Sequence, residues 1–148
     1  MVQVPLSADD DQLLQIVRFW LDILAAGDYE RVFKSLGYAM AWGAGAQAIR
    51  RDIEKYQSAV FYPGVSEFRV SDWRNAVGGN SEPKVLIRRY KYMKSLPIVA
   101  TIELDLPLNG RWSDLEADFV VTRVSPHAAE GVLNLEDISS SPAEDGDA

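Results

Sequence analysis

Residues 98–106 have the sequence Ile-Val-Ala-Thr-Ile-Glu-Leu-Asp-Leu. Every second residue is apolar, and the residues between them are mostly polar. Ile98 begins an apolar series that includes Ile102 and ends at Leu106, while Thr101 and Glu103 lie between its members. Because successive side chains of a strand point to opposite sides, this segment is predicted to be a strand with one buried face. The other face is expected to meet solvent or an interface.

The same two-residue period continues on both sides of this strand. Turn-forming pairs such as Gly78-Gly79 and Asn109-Gly110 separate the segments, and such short connections favour antiparallel neighbours. The predicted strands cover residues 67–76, 84–93, 98–106, 115–124 and 132–138.

Before Pro63 the apolar residues recur at helical spacing instead. A long first helix is predicted, with Ser7 as its N-cap, Asp10 completing a capping box and Gly27 as its stop. Asp28 is predicted to cap a second helix over 29–36. A brief strand over 38–42 and a third helix over 46–60 complete this half of the chain.

Helices followed by antiparallel strands predict the α+β class, with the N-terminal helices packed on one face of a curved antiparallel sheet. The chain has 148 residues, of which 47% are apolar, and this suits a single domain over residues 1–138. Residues 139–148 are small, polar and acidic, and are predicted to form a disordered tail.

Charge and composition exclude several classes of partner. The formal net charge of −7 opposes binding to nucleic acid or to an anionic membrane surface, since both require positive charge on the protein. No apolar run is long enough to span a bilayer, and the acidic N-terminus lacks the features of a secretion signal. With no cysteine there is no disulfide, and a cytoplasmic location is predicted.

The stretch from Phe19 to Glu30 carries a resemblance to a known family. An apolar helix there ends at Gly27-Asp28 and a short helix follows, and this order of elements resembles the NTF2-like (SnoaL-like, cystatin-like α+β) superfamily. The resemblance implies a cone-like fold with a pocket at its open end. Members include isomerases, dehydratases and cyclases, and also non-catalytic binding domains. Their catalytic Asp, His or Tyr cannot be placed residue by residue on this sequence.

Two groups of titratable residues are candidate functional sites. The single histidine, His127, lies in a turn-like segment and is predicted to be on the surface. Asp114, Glu116 and Asp118 alternate along one strand and have the oxygen ligands of a hard cation, but lack a dedicated cation-binding loop. They are predicted to lie on a solvated strand face, with no metal site and no cofactor.

Residues 88–94 combine basic and aromatic side chains. On a strand these side chains divide between two faces, so at least one arginine is expected to point inward and to need a partner. Pairing with Asp72 or Asp22 is the favoured interpretation, and the polar end of a pocket for an anionic ligand is the alternative. The candidate pocket residues are Tyr38, Trp42, Asp72, Arg88, Tyr90 and Tyr92.

The leading functional prediction is a non-catalytic domain that binds a small molecule or a protein partner. Val99 and Thr101, on the polar strand face, favour a homodimer formed sheet to sheet. A narrower version is an acidic immunity- or inhibitor-type protein that masks a basic partner. The alternative is a small pocket enzyme, an isomerase or dehydratase, that uses an inward carboxylate such as Asp72 with Tyr38, Tyr90 or Tyr92. No catalytic residue is assigned.

Overall fold

A computed structural model describes residues 1–58, 62–78, 82–91, 97–123 and 125–140 of the chain. Within these residues the elements occur in the order strand, three helices, four strands, with one 3₁₀ turn between the second and third helices. They are β1 (Val2–Pro5), α1 (Asp10–Ala25), α2 (Tyr29–Leu36), the 3₁₀ turn (Ala39–Ala41), α3 (Ala46–Glu54), β2 (Val85–Arg89), β3 (Ile98–Leu108), β4 (Arg111–Thr122) and β5 (Glu130–Ser140).

The strands form one curved, unclosed antiparallel sheet in the order β1-β5-β4-β3-β2. Long β3 and β4 are joined by a tight turn, in which Asn109 and Gly110 both have positive φ, 53° and 84°. Asparagine and glycine tolerate that conformation at low cost, so this turn fixes the hairpin register. The α+β class and the helices-on-sheet arrangement predicted from the sequence are confirmed.

One hydrophobic core lies between the helices and the inner face of the sheet. The alternation that predicted β3 is observed from Ala100 to Leu104, and Ile102 and Leu106 are fully buried. Ile98, predicted on the same buried side, lines the opposite face of the sheet because the register shifts between Ile98 and Ala100. Phe119 of β4 and Leu135 of β5 continue the same inner face, and Val17 of α1 covers it. The face that carries Thr101 and Glu103 points away from the helices, and we call it the outer face.

The helix ends follow local capping chemistry. Asp9, and not Ser7, caps α1: its carboxylate accepts the N–H of Gln12, and Gln12 Oε1 accepts the N–H of Asp9, both at 2.8 Å. This reciprocal pair is a capping box displaced by two residues from the predicted one. Asp28 caps α2 as predicted, by accepting the N–H of Arg31 at 3.2 Å.

Three sequence predictions about elements are wrong. Residues 38–42 form the 3₁₀ turn and not a strand, α3 ends at Glu54, and residues 67–76 form no strand. The last segment makes only isolated contact with the sheet, through a bridge between Val70 and Leu108. Its backbone hydrogen-bonds to the β3–β4 turn instead, where the N–H of Arg69 donates to Asn109 Oδ1.

The sheet also contains an unpredicted strand at its edge. β1 pairs antiparallel with β5, with Val2 opposite Leu133 and Pro5 opposite Glu130. Val4 is buried, which anchors this short strand to the core. At the other end of the chain β5 extends to Ser140, two residues into the segment predicted as a tail. The rest of that segment, 141–148, lies outside the described residues.

No helix in the described parts of the chain combines the length and apolar character needed to cross a bilayer.

Candidate functional site

The outer face of the sheet carries a set of half-buried carboxylates. In the register, Glu103 of β3 lies opposite Asp118 of β4, and Asp118 lies opposite Asp137 of β5. Directly opposed residues of antiparallel strands share a face, so these three carboxylates form a row across the sheet. Glu116 lies two residues before Asp118 on the same side of β4. We call Glu103, Glu116, Asp118 and Asp137 the acidic patch.

The side chains of the acidic patch are less exposed to solvent than charged side chains on a protein surface usually are. The side chains of Glu103 and Glu116 are only 20% and 14% exposed. Oxygens of Glu103, Glu116 and Asp118 all lie within 4.8 Å of one another. Like charges this close, in a region of reduced solvation, cannot all remain ionised without cost.

Asp118 shows this conflict most clearly. Burial, a hydrogen bond shared with Glu116, and the charges of Glu116, Glu103 and Asp137 together raise the pKa of Asp118 to about 8. Burial also raises the pKa of Glu116, but hydrogen bonds from Asp118 and Lys84 outweigh it and lower that pKa. Because the pKa of Asp118 is raised and that of Glu116 is lowered, the pair shares one proton near neutral pH.

Two cations at the edge of the sheet neutralise part of the patch. Arg88 of β2 donates from Nη1 to Glu103 Oε2 at 2.9 Å. Lys84 Nζ contacts Glu116 and lies 3.6 Å from Glu103 Oε1. Three carboxylates at this spacing have the ligand chemistry of a hard divalent cation, yet the ammonium of Lys84 already lies against two of them. Asp118 and Asp137 have no such partner among the described residues.

A groove of about 280 Å³ lies beside Asp118 on the outer face. Its lining includes Ile98, Thr101, Glu103, Asp118, Val120 and Glu136. Glu136 is present because β5 bulges there: Asp118 pairs with Asp137 and the next residue, Phe119, pairs with Leu135, so Glu136 has no partner in β4. Bulges commonly re-aim a side chain at a functional surface. The groove thus has apolar walls and carboxylates at one end.

The predicted pocket residues do not come together in one place. Tyr38 is buried, whereas Trp42 is 80% exposed at the end of the 3₁₀ turn. Asp72 is exposed in a loop and pairs with Arg74 at 3.1 Å. Only Arg88 and Tyr90 share a surface, because Arg88 binds Glu103 and the Tyr90 hydroxyl lies 3.4 Å from Thr101 Oγ1. Tyr92 lies outside the described residues.

The arginine on the helix side of β2 is Arg89, which lies opposite buried Ala100 and has a carboxylate partner as predicted, although a different one. Arg88 and Arg89 are both exposed on the edge strand β2, and Arg88 lies on the outer face, opposite Thr101. Arg89 donates to Asp10 Oδ1 at 2.8 Å and to the Ala8 carbonyl at 3.0 Å, which ties β2 to the start of α1. The carboxylates proposed as its partners, Asp22 and Asp72, bind Arg74 instead.

A buried tyrosine–carboxylate pair does exist, but with a different carboxylate. The Tyr38 hydroxyl donates to Asp52 Oδ2 at 2.5 Å and accepts the N–H of Ile138 at 3.2 Å. Burial opposes ionisation of Asp52, yet hydrogen bonds from Arg51, Tyr38 and Lys55 outweigh it and lower its pKa. Burial and the bond to Asp52 raise the pKa of Tyr38. Neither residue lines a cavity described here, so the pair is fully engaged with protein groups.

Another cavity lies between the helices and the loop after α3. It has a volume of about 260 Å³ and is lined by the end of α1 together with Tyr29, Arg50, Glu54 and Arg69. Arg50 Nε binds Glu54 Oε2 at 2.9 Å, so two opposite charges in the lining neutralise each other. None of the candidate pocket residues lines this cavity.

Part of the acidic patch can be predicted from the sequence. The alternation of Asp114, Glu116 and Asp118 predicts a shared, solvated strand face, and Glu103 is predicted on the polar side of β3. Asp114 instead accepts the Tyr56 hydroxyl at 2.5 Å. The predicted solvated face is only half right, because these side chains are mostly shielded. The missing information was register: nothing local in the sequence indicates that Glu103, Asp118 and Asp137 stand in one row. His127, by contrast, is exposed as predicted.

Comparison with known proteins adds no relative: no protein-family model matches the chain, and no curated protein or solved structure matches it. The architecture itself, three helices on a five-stranded antiparallel sheet, is compatible with an NTF2-like fold.

Proposed function

We propose that this chain is a non-catalytic binding domain of the NTF2-like type that docks a basic protein partner on the outer face of its sheet. The observation that carries the proposal is the row of Glu103, Asp118 and Asp137 across three strands, on a face that none of the three described helices covers. Carboxylates that lie close together with little water around them repel one another, and a cationic surface placed over them relieves that repulsion.

Charge complementarity selects the occupant. The chain has 22 acidic and 15 basic residues, so a basic protein is attracted at long range, and the acidic patch supplies a local target within that field. Beside the patch the outer face carries the aromatic side chain of Tyr90, which is 40% exposed, and a groove lined in part by Ile98 and Val120. An apolar region beside charged groups is typical of protein interfaces.

A second copy of the chain is a weaker occupant for the same face. Face-to-face pairing about a twofold axis would bring one acidic patch toward the other, and like charges at close range oppose association. Lys84 and Arg88 offset only part of that charge. The predicted homodimer therefore becomes an alternative outcome of the test below.

The enzymatic alternative requires an acid–base pair that a substrate can reach. Two Asp–Tyr pairs are present among the described residues. Asp52 with Tyr38 is buried, and the Tyr38 hydroxyl both donates and accepts a hydrogen bond within the protein. The hydroxyl of Tyr56, a residue that is 4% exposed, donates to Asp114 Oδ1 at 2.5 Å. A general acid or base must reach the proton that it transfers. The geometry therefore favours binding over chemistry at this position.

The proposal is tested with a defined cationic probe, the peptide nona-arginine, at pH 8 and constant ionic strength. The peptide should shift backbone amide resonances on the outer face of β3, β4 and β5. The triple variant Glu103→Gln/Asp118→Asn/Glu136→Gln should weaken binding about tenfold or more, which corresponds to at least about 1.4 kcal/mol.

The matched control removes the same formal charge from other surfaces, in Asp11→Asn/Glu30→Gln/Glu67→Gln, whose parent residues are all exposed. It should weaken binding by no more than about threefold, through the long-range field alone. Equal losses in the two triple variants would overturn the outer-face assignment. So would a concentration-dependent shift of the same amides without peptide, accompanied by a dimer mass in sedimentation, because the face would then be occupied by a second copy.

A further inference from the structure

We propose that the groove beside Asp118 is a subsite for one arginine side chain of the basic partner, with the Asp118 carboxylate receiving the guanidinium. This inference rests on the proposed function and adds a residue-level contact to it. Arginine is the side chain expected here, because the groove combines apolar walls with carboxylates at its end.

The size of the groove suits a single side chain. Its volume of about 280 Å³ lies just below the roughly 300–1,000 Å³ typical of small-molecule pockets. Ile98, Thr101 and Val120 offer apolar contact along it. The methylene stem of an arginine packs on such a wall while its charged end continues to a carboxylate.

Asp118 presents an acceptor that the protein leaves unused. Its Oδ1 is buried, and no described residue donates a hydrogen bond to it. Buried polar atoms almost always have partners, and an unsatisfied one is costly. Asp118 lines the groove, so a donor seated there would satisfy this atom once the carboxyl group turns toward it.

The carboxylates around Asp118 favour a planar, forked donor. Glu103 lies opposite Asp118, and Glu136 reaches the same groove through the β5 bulge. A guanidinium presents several N–H groups in one plane and binds two carboxylate oxygens side by side, whereas an ammonium acts as a point charge. The positions that a single ammonium prefers, on Glu116 and near Glu103, are already taken by Lys84.

Arginine binding at this site is coupled to the loss of one proton from Asp118. The titratable and charged groups facing Asp118 are Glu116 on its own strand, Glu103 on β3, Glu136 and Asp137 on β5, Arg88 of β2, and Lys84, which precedes β2. Among them the acids dominate and, with burial, raise the pKa of Asp118 to about 8. A guanidinium binds the ionised carboxylate, so the proton must leave on binding.

The test is the affinity of nona-arginine for the full chain at pH 7 and pH 9, measured by calorimetry at constant ionic strength. Loss of one proton with a pKa near 8 makes binding about tenfold tighter at pH 9 than at pH 7. Asp118→Asn should bind at pH 9 about as weakly as the wild type binds at pH 7, with little change between the two values. Asp11→Asn should keep the tenfold rise.

The outcomes separate this inference from the proposed function. If nona-arginine binds the outer face but wild type and Asp118→Asn show the same pH response, the arginine subsite is overturned and the docking face stands. If nona-arginine does not bind the outer face at any pH, the proposed function falls as well. Equal affinity for nona-lysine and nona-arginine at pH 8 would overturn the assignment to a guanidinium. Asparagine matches the size of the protonated side chain, so folding of the variant is expected, and the wild-type pH response tests the coupling without any variant.

Discussion

The hydroxyl of Tyr38 lies 2.5 Å from Oδ2 of Asp52, and through this bond the segment after α2 is held to α3. The same hydroxyl accepts the N–H of Ile138 at 3.2 Å, so one oxygen links two helical elements to β5. Tyr38 and Asp52 are 6% and 4% exposed, and water cannot readily replace a lost bond.

Tyr38→Phe is therefore expected to reduce the free energy of unfolding by about 1–3 kcal/mol, because it leaves a buried carboxylate and a buried N–H each short of a partner. Urea unfolding followed by tryptophan fluorescence measures the change. Tyr29→Phe is the control, since Tyr29 is half-buried and its hydroxyl makes no hydrogen bond with a described residue. Equal effects of the two substitutions would contradict the structural role of the Tyr38–Asp52 bond.

Asp118→Asn is expected to change the pH dependence of stability. Between the ordinary aspartate pKa, about 4, and the folded value of about 8, the folded chain keeps a proton that the unfolded chain has lost. The free energy of unfolding of the wild type therefore falls as pH rises through this window. The free energy of unfolding of the asparagine variant does not fall in this way. The difference in unfolding free energy between variant and wild type therefore grows in favour of the variant from pH 5 to pH 8 and then levels off.

Urea denaturation at pH 5, 6.5, 8 and 9 gives the profile for each protein. Asp105 is also buried, and burial raises its pKa, but its contribution is common to both proteins and cancels in the difference. Parallel wild-type and variant profiles would show that Asp118 ionises normally and that the patch is well hydrated.

Gly131→Ala is expected to destabilise the β4–β5 pairing. A Cβ at this position would lie 2.7 Å from Val121 Cγ1 and 2.8 Å from the Thr122 carbonyl oxygen, and the latter is backbone and cannot rotate away. Overpacking of this kind costs about 1–3 kcal/mol. Val132→Ala, at the neighbouring half-buried position, should cost less, and a neutral Gly131→Ala measured by thermal unfolding would refute the observed register.

Trp42→Asn is expected to stabilise the protein by about 0.5–1 kcal/mol. Trp42 has φ 50° and ψ 40°, a left-handed conformation that is unfavourable for a bulky residue and mild for asparagine. Because the side chain is 80% exposed, little packing is lost on replacement. A loss of stability in thermal unfolding would mean that the indole makes contacts beyond those seen here.

The general architecture could be predicted because the deciding patterns are local. The alternation along 98–106 and the helical spacing before Pro63 each report which face is buried, and both sets of elements are observed. Asp28 and Gly37 also mark the ends of α2 as the sequence indicates, since capping depends on a few adjacent residues.

The remaining features depend on contacts between distant residues. Val2–Pro5 has too few residues to show a period, and it is a strand only because β5 offers it an edge. Residues 67–76 have strand-like composition, but the backbone of Arg69 is satisfied by Asn109 and not by a strand partner. The acidic patch likewise requires the register of three strands, including a bulge at Glu136 that no local pattern specifies.

The short strand at the beginning of the chain has a consequence for handling the protein. β1 occupies the lateral hydrogen-bonding groups of β5 from Glu130 to Leu133, and it does so with four residues. Trimming or masking those residues would leave this stretch of the long strand free to recruit another molecule, as open sheet edges do. Val2–Pro5 therefore cover this stretch of β5, and their loss is expected to favour self-association through the strand edge that it exposes.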